Sequence, residues 1–185
     1  MASTVKEMAS FLEDASIGYK IDGSGRVISI DYPMERYGNE NDEHILSIEI
    51  SLEENGRFFT LAVPRCYNYR ELPHKELLLK VLLIVSLFTK MIQFEYDKMS
   101  GYIRAVIEFP LEDATLTRKQ LLRCLRDMAG QLDEYHKMII SAARENTLIL
   151  PKEEGEEIRG LFSEIYKDVL AFESEIRRQE GSARP

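Results

Sequence analysis

The chain has 185 residues and a mass of 21.4 kDa, enough for roughly one domain with a short extension. Hydrophobic residues make up 44% and charged residues 30%, with no Trp, 10 Gly and 6 Pro; this is the mixture of a chain that folds around a core, and it excludes fibrous and disordered classes. With 24 basic against 32 acidic side chains the formal charge is -8, so the surface field opposes phosphate backbones and anionic membranes, and nucleic acid is excluded as an expected partner.

The segment Ser3 to Ser16 places Val5, Met8, Leu12 and Ala15 at steps of three and four, and Thr4 with Glu7 forms a capping box, which predicts a short amphipathic helix. The period then changes to two. Ile17, Tyr19 and Ile21 alternate with polar or small residues, Asp22-Gly23-Ser24-Gly25 supplies turn chemistry, and Ile28, Ile30 and Tyr32 alternate again, so a hairpin is expected. Pro33 to Asp42 is rich in turn formers and reads as an exposed connection. Leu46, Ile48, Ile50 and Leu52 alternate with Ser47, Glu49 and Ser51, the pattern of a strand with one face buried and one wet. Asn55-Gly56 marks a tight turn, and Phe59, Leu61 and Val63 return until Pro64 halts the ladder.

Pro73 suits the first turn of a second helix, whose apolar residues from Leu77 to Phe88 cover almost its whole circumference and predict burial on two sides. Interrupted by Lys80 and Ser86, this stretch is shorter than the roughly 20 apolar residues that cross a bilayer. Ile92, Phe94 and Tyr96, then Ile103, Ala105, Ile107 and Phe109, predict a second hairpin. Thr117 with Gln120 makes another capping box, and Leu116 with Leu121 a hydrophobic staple. They open a long helix with the seam Leu121, Leu125, Met128, Leu132, Tyr135, Ile139 and Ala142.

A domain over residues 1–146 is therefore expected, with a helical extension over 147–185. The extension carries Glu153, Glu154, Glu156 and Glu157 at its start and Arg177 and Arg178 near its end, in the sense that complements a helix dipole. Its seam is Ile158, Phe162, Ile165, Val169, Phe172 and Ile176, stepping by four and three, and suits either a dimer contact or antiparallel packing on the preceding long helix. From residue 151 onward there are 9 acidic and 6 basic residues, so the acidity is spread over the chain and is not a polyacidic tail.

Chemistry-bearing patterns are sparse. His44, His74 and His136 form no HxxxH or HExxH motif, so no metal site is expected. Cys66 and Cys124 lie far apart and read as reduced thiols. Gly23-Ser24-Gly25 precedes a strand, not a helix whose N-terminus would hold an anion, so it is a turn and not a phosphate cradle. No catalytic or cofactor-binding residues are expected. Arg65, Tyr67, Tyr69 and Arg70, with Lys75 beside them, are the one local cluster able to engage an acidic or aromatic group, against the plainer reading of a solvated loop. Met1 to Glu7 lacks the basic start and apolar run of a secretory signal; a cytoplasmic protein without membrane insertion is expected.

In its element order and wording the sequence resembles the YbjN type of bacterial sensory transduction regulators, with the type III secretion chaperone-like fold. The resemblance spans about residues 3–144. It rests on Ile21-Asp22-Gly23-Ser24-Gly25-Arg26-Val27, on Leu61-Ala62-Val63-Pro64-Arg65 leading through Leu72-Pro73 to the leucine-rich helix, on Phe94-Glu95-Tyr96-Asp97, and on Leu116-Thr117-Arg118-Lys119-Gln120-Leu121. The sequence departs from that pattern in the long connection between its second and third strands, in Thr89-Lys90 at the helix exit, and in the added C-terminal helix. The resemblance implies an α+β fold of order α-β-β-β-α-β-β-α with an antiparallel sheet. It also implies a non-enzymatic, chaperone-like or regulatory module that binds a protein client or partner and assembles as a homodimer, with no cofactor. A small-molecule sensor or enzyme with a pocket between sheet and helices is the alternative.

Overall fold

The structure is a computed structural model that describes residues 2–151 and 156–182; the side chains at 156–158, 165, 169, 172–173, 176–177 and 179–182 lie outside the description. Its elements in chain order are α1 (Val5–Glu13), β1 (Lys20–Ile21), β2 (Val27–Pro33), β3 (Ile45–Glu53), β4 (Phe58–Tyr67), α2 (Lys75–Phe88), β5 (Gln93–Asp97), β6 (Tyr102–Pro110), α3 (Arg118–Glu145) and α4 (Glu156–Ser182). The fold is α+β, as expected, but four strands and not the three of the α-β-β-β-α-β-β-α order precede α2, because the two-residue β1 adds to the edge of β2. The strands form one antiparallel sheet in the order β1-β2-β3-β4-β6-β5.

Both capping boxes form. Thr4 accepts the Glu7 N–H while Glu7 accepts the Thr4 N–H at 2.8 Å, and Thr117 and Gln120 do the same at the start of α3. The first hairpin arm is shorter than its alternation predicts, since only Lys20 and Ile21 pair with β2. The preceding residues are still closing α1: the Ile17 N–H reaches back to the Leu12 carbonyl at 2.9 Å, and Ser16 takes φ 57° to allow it. At the turn itself Asp22 accepts from the Ser24 hydroxyl and from the Arg26 and Val27 N–H groups, and these bonds hold its carboxyl down to about 2.

One face of the sheet presents Ile28, Ile30, Leu46, Ile48, Ile50, Phe59, Leu61, Ile103, Ala105 and Ile107, all buried, to the helices. The opposite face carries Ser47, Glu49 and Arg104, all exposed. Every member of the predicted α3 seam is buried. Leu116 and Leu121 are buried as a staple requires. The start of the chain is tied in as well: the Ser3 N–H donates to the Gly56 carbonyl at 3.1 Å, and the Ser3 hydroxyl accepts the Leu116 N–H at 2.7 Å. Gly56 has φ +87°, and a Cβ there would stand 2.2 Å from the Ser3 carbonyl oxygen, so the close approach needs glycine.

Two helices depart from expectation. α2 is not covered on two sides. Leu77, Leu78, Val81, Leu82, Ile84 and Val85 are buried, whereas Leu79, Leu83 and Leu87 are 40%, 72% and 70% exposed. The reason is geometric: the sheet and α3 reach only the inner arc of the helix. Among the described residues α4 lies against α2 and not antiparallel along α3. Phe162 is fully buried with its ring 6.3 Å from that of Phe88, and the Tyr166 hydroxyl donates to the Asn146 carbonyl at 3.1 Å. Of the α4 seam, Phe162 is thus in the core; the side chains of Ile158, Ile165, Val169, Phe172 and Ile176 lie outside the described residues.

Candidate functional site at the β4–α2 corner

β4 ends irregularly. Its register with β6 runs evenly to Val63↔Ala105 and resumes at Tyr67↔Ile103, with the shift falling over Pro64 to Cys66. A proline cannot donate to the ladder, and the bulge that accommodates it re-aims the side chains that follow. Arg65 is left outside while Cys66 and Tyr67 both turn in.

The segment before β3, expected as an exposed connection, is pinned onto α3. The N–H groups of Glu35, Arg36 and Tyr37 all donate to Asp133 Oδ1, at 3.1, 2.7 and 2.9 Å. One residue on, the Gly38 N–H donates to His136 Nε2 at 3.2 Å. Asp133 and His136 are three residues apart on a helix and therefore share a face. Tyr37, 1% exposed, enters the core and its hydroxyl donates to the Cys66 carbonyl at 3.0 Å. His44 Nδ1 closes the loop by donating to the Tyr37 carbonyl at 2.9 Å.

Because Nε2 of His136 accepts a hydrogen bond, the ring's proton sits on Nδ1, which is buried without a partner among the described residues. The ring lies 5.0 Å from Tyr37 and 6.0 Å from Tyr67, centre to centre. Burial is the main cause that lowers its pKa to about 4; Asp133 and Asp42 oppose the shift, and Arg144 and His44 add to it. Burial also pushes the Tyr37 and Tyr67 phenols and the Cys66 thiol above their usual ranges. Cys124 is raised to about 11, again chiefly by burial. Neither thiol is a nucleophile near neutral pH.

The four residues of the sequence cluster take different surroundings. The Arg65 guanidinium lies 5.4 Å over the Tyr102 ring and 3.9 Å from Glu40. The Tyr102 hydroxyl donates to Glu40 at 2.5 Å, and that carboxylate raises the phenol's pKa. Tyr67 is buried beside His136. Tyr69 packs on Tyr96 at 4.7 Å with Lys75 Nζ 5.4 Å over its ring. Arg70 donates from Nη2 to the Lys98 and Met99 carbonyls at 3.3 and 3.0 Å, clamping the β5–β6 turn. It passes so close to Gly101, at φ +84°, that a Cβ there would stand 2.2 Å from Arg70 Nε. Gly101→Ala is therefore expected to cost about 1–3 kcal/mol by chemical denaturation. Adding Arg70→Ala should recover the steric part, and simple additivity of the two changes would refute the contact.

A cavity of about 180 Å³ opens between the 38–40 loop, the end of β4, the start of the link to α2, and α3. Leu72, Pro73 and Ile140 give it an apolar wall, and Arg65, Glu71 and Arg144 bring charge to it. A second, open groove of about 820 Å³ lies between α2 and α4, lined by Leu87, Phe88 and Leu161. Among the described residues there is no cluster of three or more His, Cys, Asp or Glu side chains that could hold a metal ion, and no helix is long and apolar enough to cross a membrane. The sequence reading missed Tyr37 and Asp133. Its available signal was the polar pair Asp133 and His136 spaced i, i+3 beside the α3 seam.

No family model matches the sequence. No curated protein matches it either. Solved structures similar to the chain include YbjN from E. coli, described as a proposed transcription regulator. It shares 13% sequence identity, the match covering 82% of this chain and 99% of that one, with a TM-score of 0.47. A second is the HopA1–SchA chaperone–effector complex, at 18% identity over 74% of this chain and 88% of that one, with a TM-score of 0.42.

Proposed function

We propose that the chain is a non-enzymatic protein-interaction module of chaperone-like or regulatory type that works as a homodimer through α2 and offers its free sheet edge to a protein client. The observation that carries this reading is the exposed Leu79, Leu83 and Leu87 stripe. Covering a leucine fully is worth about 1.5–3 kcal/mol, and three in line on one helix make a contiguous apolar patch of the kind that marks an interface. The stripe is self-complementary. A two-fold axis at Leu83 sets Leu79 against Leu87 of the partner subunit, the isologous arrangement of symmetric dimers.

β5 is the last strand of the sheet, and its outer backbone groups are unpaired within the sheet. Glu95 on it is already neutralised by Arg104. An extended client segment can add there as a further strand.

Sedimentation equilibrium tests the dimer. The wild-type chain is expected at twice its 21.4 kDa mass, and Leu83→Glu with Leu87→Glu at once that mass with an unchanged circular dichroism spectrum. A wild-type monomer at about 100 µM would remove the proposal. A client bound to the wild type is expected to slow hydrogen exchange of the β5 amides; protection confined to other elements would take the client site away from the edge.

A further inference from the structure

The cavity at the β4–α2 corner has a charge arrangement that the dimer and the sheet edge do not use. Four ionised side chains line it: Glu40, Arg65, Glu71 and Arg144. Glu40 and Arg65 face each other at 3.9 Å, and Glu40 also holds Tyr102, so these two are engaged. Glu71 and Arg144 make no ion pair with each other or with any other described residue. They come from different walls. Arg144 stands in the last turn of α3, one turn beyond Ile140, and Glu71 in the link ahead of Leu72 and Pro73. One cavity is thus lined by an unpaired cation, an unpaired anion and the apolar side chains of Leu72, Pro73 and Ile140. Its volume, about 180 Å³, is close to that of the roughly 150 Å³ cavity that accepts benzene, so it suits a ligand of about six to ten non-hydrogen atoms.

We infer that this cavity binds a free α-amino acid with an apolar side chain, its carboxylate on Arg144, its ammonium on Glu71, and its side chain against Leu72, Pro73 and Ile140. A guanidinium is the group best shaped to take a carboxylate with two parallel hydrogen bonds. An ammonium needs a carboxylate acceptor, which Glu71 supplies. A simple anion would leave Glu71 unanswered and a simple cation would leave Arg144 so; a zwitterion answers both. The inference stands apart from the dimer reading, since none of these residues lies on the α2 stripe.

The test is an amide NMR titration of the full chain with leucine, valine, N-acetyl-leucine, leucinamide and acetate, each to about 10 mM. Leucine or valine is expected to give saturable shifts centred on Gly38, Asn39, Leu72 and Arg144. N-acetyl-leucine, which lacks the ammonium, and leucinamide, which lacks the carboxylate, should each bind at least about tenfold more weakly, a loss of about 1.4 kcal/mol. Glu71→Gln should weaken leucine about tenfold yet leave N-acetyl-leucine unchanged, and Arg144→Gln should weaken leucine yet leave leucinamide unchanged. Both residues are exposed, so the variants keep the fold. The inference fails if no amino acid shifts these amides, if acetate shifts them as strongly as leucine does, or if both variants keep wild-type affinity.

Discussion

Replacing Asp133 with alanine is expected to lower stability by about 2–3 kcal/mol and to free the 34–44 loop for proteolysis. Three N–H groups share its one oxygen, and hydrogen bonds to an ionised acceptor are the stronger kind, worth about 1.5–3 kcal/mol each before water replaces what is lost. Water reaches the Glu35 and Arg36 amides easily because both residues are exposed. It reaches Tyr37 poorly, and the expected loss is therefore well below three times the single-bond figure. Urea unfolding measures it directly, and the melting temperature should fall by about 2–4 °C for each kcal/mol. Asp133→Asn keeps an acceptor without the charge and should lose about half as much. A change within about 0.5 kcal/mol for the alanine variant, or an uncleaved loop, would mean that Tyr37 holds the loop unaided.

The second large effect is a dependence on pH. His136 titrates near 4 in the folded chain and near 6.5 once unfolded. Between these values the unfolded chain binds a proton that the folded chain refuses, so stability falls as the pH is lowered through this window and is fully present above it. The difference corresponds to up to about 3 kcal/mol by pH 4. Carboxylates titrate in part of the same range, so the comparison must be with His136→Gln, whose amide can accept the Gly38 N–H but does not ionise. The gap between the two stability curves should change by about 3 kcal/mol between pH 7.5 and pH 4. Parallel curves would show that the imidazole is not held neutral by its surroundings.

Much of the architecture was legible because it is local. Each capping box needs two residues three apart, and both formed. A sheet with helices on one face imposes strict alternation, and Leu46 to Leu52 announces it. What escaped depends on distance. Nothing near Tyr37 marks it as buried, since its anchor Asp133 lies 96 residues away. α2 reads as apolar all round whether or not its outer arc has a neighbour, so the pattern could not foretell that Leu83 and Leu87 stand in the open. The Arg65 to Arg70 cluster looked continuous because four residues in a row of six are close in sequence. The bulge after Val63 then turned Tyr67 inward, and Arg70 went to a turn made by Lys98 and Met99.

The Ser3 tie has a consequence for how the protein is made. Ser3 and Leu116 are 113 residues apart, and α1 rests against β2 and α3. During synthesis α1 therefore waits, amphipathic and only partly housed, until α3 has followed it. Non-local closure of this sort slows folding and prolongs the exposure of sticky surface, which makes α1 a segment that gains from a holding partner until α3 arrives.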